Sequence, residues 1–169
     1  MTITMNHTGF VVADLERSVK FYSEGLGLMV SFQVEAGSEP LSQLLGYENV
    51  KVKAAYLRAF DGHSLELIQY VNPPVEVRDP ADQHPRHLTG STHLSFIVAD
   101  LEGTIARLEQ LGATLLNPPV QLMTGLRSAY LQDPDGNWIE LDDDAVHRAA
   151  PFMVYQRTAI SPAPGELTM

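Results

Sequence analysis

The stretch His7-Thr8-Gly9-Phe10-Val11-Val12-Ala13-Asp14-Leu15-Glu16 returns as His93-Leu94-Ser95-Phe96-Ile97-Val98-Ala99-Asp100-Leu101-Glu102, with seven of ten positions identical at a shift of 86 residues. A second set agrees at a shift of 74: Ala55-Tyr56-Leu57, Asp61-Gly62 and Leu65-Glu66-Leu67 match Ala129-Tyr130-Leu131, Asp135-Gly136 and Ile139-Glu140-Leu141. Because order and spacing agree in both stretches, the chain contains a duplicated module. The 12-residue difference between the two shifts predicts an insertion in the first copy, near residues 36–50.

Each copy carries the local signals of one βαβββ unit. A short β-rich run ends at Asp14 or Asp100, either of which is a good helix N-cap, and apolar residues then recur at helical spacing. Three strands should follow, the last two joined by hairpins at Phe60-Asp61-Gly62-His63 and Asp133-Pro134-Asp135-Gly136-Asn137. The sequence therefore predicts an α+β fold, in which two tandem βαβββ modules pair to form a curved mixed sheet with a concave cup.

The module boundaries follow from the repeat. We expect the first module over residues 1–72 and a linker rich in Pro, Asp and His over 73–90. The second module should span 91–144, and residues 145–169 form a C-terminal extension without a counterpart in the first half.

Composition narrows the class of protein. Lys and Arg number 11 against 21 Asp and Glu, and a formal charge of −10 repels the phosphate backbone of nucleic acids. The absence of Cys excludes disulfides and thiolate metal sites. No apolar run approaches the roughly 20 residues of a membrane span, and the N-terminus lacks the features of a signal peptide. We expect a cytoplasmic protein that binds a small-molecule substrate and neither nucleic acid nor membrane.

Two His and two Glu residues fall on the strand face that the helices do not cover. Side chains alternate across a strand, so Glu66 and Glu140 face away from their apolar neighbours. A His or a Glu taken singly is more often structural or solvated, but here both types recur at matched positions. Two imidazoles and two carboxylates suit a first-row divalent ion. The sequence predicts one divalent metal per chain (Zn, Ni, Co, Mn or Fe), bound by His7, Glu66, His93 and Glu140 in the cup.

Charged residues at other positions give weaker signals. Lys53 and Arg127 occupy matched positions, and we predict that they line the pocket and bind an anionic substrate group; the alternative is that they are ordinary rim charges. The acidic run Asp142-Asp143-Asp144 is typical of a solvated strand end.

These motifs resemble the vicinal oxygen chelate superfamily, which includes glyoxalase I, methylmalonyl-CoA epimerase, bleomycin resistance proteins and extradiol dioxygenases. The string Leu15-Glu16-Arg17-Ser18-Val19-Lys20-Phe21-Tyr22, followed by Leu26-Gly27-Leu28, is similar to its first helix. Asp133-Pro134-Asp135-Gly136-Asn137-Trp138-Ile139-Glu140-Leu141 resembles its closing hairpin. The resemblance implies that the metal binds substrate oxygens and stabilises an enediolate or enolate. It also implies that Glu140 and Glu66 are catalytic and move the proton.

The resemblance is compatible with three functions. The first is a metal-dependent lyase, isomerase or epimerase of the glyoxalase I or methylmalonyl-CoA epimerase type, acting on a small carbonyl or acyl substrate. The others are an Fe(II)-dependent dioxygenase and a non-catalytic drug-binding resistance protein. A four-ligand set favours the first, because the dioxygenases need only two His and one carboxylate and the drug-binding proteins need no metal set.

We also expect a homodimer. Paired modules leave sheet edges and an apolar rim that a second copy commonly covers. The sequence does not distinguish a metal site within one chain from a site shared across the dimer.

Overall fold

Each half of the chain forms its own mixed sheet in the computed structural model, which describes residues 3–77 and 86–145. The first half contains β1 (Thr8–Val11), α1 (Leu15–Lys20), β2 (Met29–Ala36), α2 (Glu39–Leu45), β3 (Lys51–Arg58) and β4 (Ser64–Asn72). The second half contains β5 (His93–Ile97), α3 (Leu101–Gln110), β6 (Thr114–Leu115), β7 (Val120–Met123), β8 (Leu126–Gln132) and β9 (Trp138–Asp144). The predicted α+β class is confirmed.

The first helix of each repeat begins at its predicted cap. The Asp14 carboxylate accepts a hydrogen bond from the backbone N–H of Arg17 at 3.0 Å, and Asp100 accepts one from Gly103 at 2.9 Å. In the first half the helix continues through a π-helical turn at Phe21–Gly25. These caps satisfy backbone donors that a helix cannot satisfy by itself.

Both sheets follow one pattern of strand pairing. The first strand lies parallel to the last, which pairs antiparallel with the strand before it. The hairpins turn at the predicted sequences, where Gly62 and Gly136 have φ values of 93° and 83° that side chains with a Cβ disfavour. The second sheet differs from the first because two short strands, β6 and β7, take the place of the single strand β2. Pro118 and Pro119 lie between them and have no N–H to donate to a neighbouring strand.

The two modules pack through their helices. Arg107 Nε donates a hydrogen bond to the carbonyl oxygen of Gly25 at 2.8 Å, and both halves contribute to one hydrophobic core. Where we expected one curved sheet, the described part of the chain forms two, and no strand of one half pairs with a strand of the other. The shared core contains Phe21, Tyr22, Leu57, Leu65, Leu67, Leu101, Leu108, Leu131, Ile139 and Leu141.

The turn between β8 and β9 holds the first helix of the other module. Asp135 accepts hydrogen bonds from the backbone N–H of Ala13 at 2.9 Å and from the Ser18 hydroxyl at 3.0 Å. It also pairs with the Arg17 guanidinium at 2.5 Å. These contacts join residues more than 100 positions apart and fix the orientation of one module on the other.

A buried hydrogen bond lies beside this contact. The Tyr22 hydroxyl donates to Asp133 at 2.8 Å, and both side chains are buried. Burial raises the pKa of Asp133, although hydrogen bonds from Asn137 oppose this shift. Burial and the neighbouring Asp133 raise the pKa of Tyr22 well above its usual value. The raised pKa of Tyr22 keeps the shared proton on its hydroxyl.

Two segments lie outside the repeat. Helix α2 occupies the region where the first copy carries its extra residues, and the Ser38 side chain caps it through the N–H of Leu41 at 3.3 Å. Of the extension expected at 145–169, only Ala145 falls within the described residues. None of the helices in the described ranges is long and apolar enough to span a membrane.

Candidate metal centre

The first His–Glu pair forms where β1 lies beside β4. In the parallel register Gly9 lies opposite Glu66. His7 is two residues before Gly9, so its side chain lies on the same face of the sheet as that of Glu66. Its Nε2 atom lies 3.0 Å from Oε2 of Glu66. The apolar neighbours Leu65 and Leu67 are buried on the opposite face, as alternation predicts.

The second pair repeats this arrangement in the other sheet. Ser95 pairs with Glu140 in the β5–β9 register, and His93 precedes it by two residues. The His93 Nε2 atom lies 3.3 Å from Oε2 of Glu140. The same local geometry has thus formed twice, once in each module.

The donor spacing within each pair fits a divalent cation. Two ligand atoms about 2.1 Å from one ion and at right angles lie about 3 Å apart, close to both His–Glu distances. Within residues 3–77 and 86–145, however, no group of three or more His, Asp or Glu side chains converges on one point. Each module therefore offers half of the predicted four-ligand set.

The side-chain amide of Asn6 favours the His7 tautomer that can bind a cation through Nε2. The Asn6 side-chain oxygen can only accept, and it lies 2.7 Å from Nδ1 of His7. A proton on Nδ1 leaves the lone pair on Nε2, the atom that faces Glu66. Such a hydrogen bond also orients the ring.

A tyrosine on the central strand of each sheet contacts the His–Glu pair. The Tyr56 hydroxyl donates to Glu66, and the Tyr130 hydroxyl lies 3.2 Å from Nε2 of His93. The hydrogen bond to Glu66 is the main cause that raises the pKa of Tyr56 to about 12. Burial, followed by the charge of Glu140, raises the pKa of Tyr130 to about 12. Both tyrosines remain protonated near neutral pH and can hydrogen-bond a carboxylate.

Both tyrosines belong to the repeated sequence, but the sequence predicted no role for them. The repeat did contain a signal, because Tyr56 and Tyr130 sit at matched positions with apolar residues on either side. Only the strand register shows that each lies directly opposite the Glu of its own module.

Lys53 and Arg127 lie on the other face of their sheets. Each lies three positions before the tyrosine of its own strand, so its side chain points to the opposite face, toward the helix layer. Lys53 Nζ lies 3.3 Å from Glu35 Oε1, and Arg127 forms an ion pair with Glu102 at the start of α3. These ion pairs are exposed, and they lie on the sheet face opposite to the His–Glu pairs.

Arg86 is a further cation beside the second pair. Its guanidinium carbon lies 4.5 Å from the ring centroids of both Tyr130 and Trp138. Contacts of this kind contribute about 0.5 to 2 kcal/mol. The repeat carried no signal for it, because Arg86 precedes the duplicated segment and has no counterpart in the first half.

Comparison with known proteins identifies the family. Residues 4–141 match the model of the Glyoxalase/Bleomycin resistance protein/Dioxygenase superfamily. The chain belongs to this superfamily. The match confirms the resemblance drawn from the repeated motifs.

Individual relatives within the superfamily include a lyase and an epimerase. A lactoylglutathione lyase from Pseudomonas aeruginosa is 33% identical over 146 residues, covering 80% of this chain and 80% of that protein. A 2-epi-5-epi-valiolone epimerase from Actinomyces sp. is 27% identical over 148 residues, covering 82% and 78%. The crystal structure of a glyoxalase family protein from Bacillus cereus has a TM-score of 0.75 at 25% identity, covering 84% of this chain and 94% of that one. Superfamily members generally use a divalent metal, and some are not enzymes.

Proposed function

We propose that this protein is a divalent-metal-dependent lyase or isomerase that transfers a proton next to a carbonyl group of a small substrate. The observation that carries the proposal is the duplicated constellation of His, Glu and Tyr on the uncovered face of both sheets. The lyase and epimerase among its relatives support this class of reaction.

The proposed metal site is shared between two copies of the chain. The two pairs lie in separate sheets, so one chain supplies two ligands to each of two half-sites. Among the described strands, β1 and β5 are both sheet edges, and their apolar residues Val11 and Ile97 are 49% and 47% exposed. An exposed edge with apolar side chains is stabilised by pairing with another strand. A twofold homodimer sets β1 of one protomer beside β5 of its partner and completes two sites.

A complete site contains His7 and Glu66 of one protomer with the matching pair from the other. When bound, a divalent ion supplies Lewis-acid stabilisation of the oxygen that gains negative charge during proton transfer. Glu140 accepts the proton from the carbon, and Glu66 on the opposite side of the site returns it. Tyr56 and Tyr130 hold the carboxylates in place by hydrogen bonding.

Subunit complementation tests the shared site. One double variant carries His7→Ala and Glu66→Gln, and the other carries His93→Ala and Glu140→Gln. Each alone should bind little metal after dialysis against a chelator. After unfolding, mixing and refolding, half of the dimers are mixed and contain one intact site, so about a quarter of the metal-binding capacity should return.

The turn residues His63 and Asp61 provide a matched control. They form an exposed imidazole–carboxylate pair at 2.8 Å, and the variant His63→Ala should keep full metal content. Recovery of no metal in the mixture, or a monomer by light scattering at micromolar concentration, would refute the shared site. Full metal in both double variants would refute the ligand assignment itself.

The reaction class is tested by solvent exchange. The metal-loaded protein is incubated in deuterated water with a panel of 2-hydroxy ketones and acyl thioesters, and deuterium at the carbon next to the carbonyl is measured by NMR. Incorporation that depends on metal and on Glu140 is the expected result. Metal-loaded protein that exchanges none of these substrates contradicts the proposal.

A further inference from the structure

Each of the two sheets has one face that the helices do not cover, and both faces carry a His, a Glu and a Tyr at matched positions. The residues around these three differ between the two sheets. Next to the first pair, three strand positions have no side-chain hydrogen-bonding group. The matched positions next to the second pair carry two hydroxyls and a carboxylate. The matched residues are Gly9 and Ser95, Ala54 and Ser128, and Ile68 and Asp142. The second module therefore supplies the more polar side of the proposed site.

The three polar side chains form one hydrogen-bonded array. Ser95 Oγ donates to Oδ2 of Asp142 at 2.7 Å, and the Ser128 hydroxyl donates to Oδ1 of the same carboxylate. The three strands that carry them are adjacent, and Ser95 lies beside Glu140 in the strand register. The array thus borders the His93–Glu140 pair on the same face.

This array presents acceptors to an incoming group. A serine hydroxyl has one proton, and the protons of Ser95 and Ser128 are both directed at Asp142. The lone pairs that are left belong to hydroxyl and carboxylate oxygens, and Ser95 is exposed to solvent. A group that binds here must supply an N–H or O–H. At these three side chains a carboxylate or phosphate would meet only acceptors and a negative charge.

A neutral hydroxyl fits this environment better than an ammonium group. The Arg86 guanidinium lies on the same face, over the ring of Tyr130. The divalent ion proposed at Glu140 would add further positive charge nearby. A cationic substrate group is repelled by both, whereas a hydroxyl is not.

We propose that Ser95 and Asp142 recognise hydroxyl groups of a polyhydroxylated carbonyl substrate, and that the buried Ser128 holds the Asp142 carboxylate in place by hydrogen bonding. The inference rests on the function proposed above, because it assigns the substrate class of that site. On the side supplied by the first module, the rings of Phe32 and Tyr56 stack with centroids 4.6 Å apart. These rings offer apolar surface to the carbon skeleton of the substrate. The acidic run after Glu140, which the sequence indicated as a solvated strand end, here contributes a binding group.

Ligands that share one six-membered ring test the recognition without requiring turnover. The probes are myo-inositol, cyclohexanol, cyclohexylammonium and cyclohexanecarboxylate, and dissociation constants are measured by NMR titration of metal-loaded and metal-free protein. Myo-inositol should bind about tenfold or more tightly than cyclohexanol, because hydrogen bonds to a charged acceptor replace contacts with water. The variants Asp142→Asn and Ser95→Ala should each lose most of this preference, while the affinity for cyclohexanol changes by less than about twofold.

The variant Asp143→Asn is the matched control, because its side chain lies on the opposite face of the same strand and should leave the preference unchanged. Equal affinities for myo-inositol and cyclohexanol, or no myo-inositol binding up to about 50 mM, overturn the proposal. Tightest binding of the ammonium or the carboxylate probe also overturns it. Loss of solvent exchange with the myo-inositol preference intact instead counts against the reaction class alone.

Discussion

The repeat contains an internal control for the contact between modules. Asp135 and Asp61 are matched residues in the two hairpin turns. Asp135 is 7% exposed and accepts from Ala13, Arg17 and Ser18 of the other module. Asp61 is 51% exposed and contacts only His63 among the described residues. The same residue type in the same motif should therefore differ greatly in its effect on stability.

The substitution Asp135→Ala should lower the free energy of unfolding by about 3 to 5 kcal/mol. The Ser18 hydroxyl is fully buried and loses its acceptor, as does the partly buried N–H of Ala13, at about 1 to 3 kcal/mol each. The Arg17 pair adds about 1 kcal/mol or less, because that side chain is 43% exposed. Asp61→Ala should cost no more than about 1 kcal/mol.

Urea unfolding at pH 7, followed by circular dichroism, measures both variants against the wild type. With an unchanged m-value, the midpoint shift gives the difference in free energy directly. For a chain of this length the expected fall in melting temperature is about 6 to 20 °C for Asp135→Ala. If Asp135→Ala costs less than about 1 kcal/mol, or no more than Asp61→Ala, the turn does not hold the modules together.

Three further perturbations test other parts of the structure. The raised pKa of Tyr22 contributes stability that is present below the unfolded-state pKa near 10 and is lost above it, by up to about 1.4 kcal/mol per pH unit. Tyr22→Phe should therefore flatten the alkaline fall in urea stability, and an unchanged slope would contradict the burial of a protonated Tyr22. Gly25→Ala would place its Cβ 2.5 Å from Cδ2 of the buried Leu108, and we expect about 1 to 3 kcal/mol of destabilisation by overpacking, measured as a midpoint shift. Glu140→Gln should retain most of the metal but lose about 10² to 10⁴ of the solvent-exchange rate. Near-normal exchange in this variant would leave Glu66 as the base.

The parts of the fold that the sequence predicted depend on local rules. Alternation along a strand assigned Glu66 and Glu140 to the face away from the core, and a matched repeat made each assignment support the other. Capping at Asp14 and Asp100 is equally local, since a short side chain bonds to an N–H three residues away. Such features need only the backbone geometry of one element.

Residues whose role depends on register were harder to predict. Tyr56 and Tyr130 matter because they lie opposite the Glu of a neighbouring strand, and a shift by one residue would move them to the other face. The placement of Lys53 and Arg127 could have been predicted, because each lies four positions before a leucine of its own strand that is buried against the helices. Side chains an even number of positions apart share one face of a strand. Arg86 had none, because its stacking on two rings brings together a linker residue and a distant hairpin.

The sequence alone determined the repeated unit, its caps and turns, and the placement of one His and one Glu of each module on the strand face away from the helices. Only the tertiary structure decided how the modules meet. Asp61 and Asp135 have the same local sequence context, but the helix of the first module packs against the second hairpin and not against its own. Since two copies of one motif carry identical local signals, the choice depends on long-range packing of helices and buried apolar faces. That choice also separates the two His–Glu pairs within one chain, so the proposed site requires a second copy.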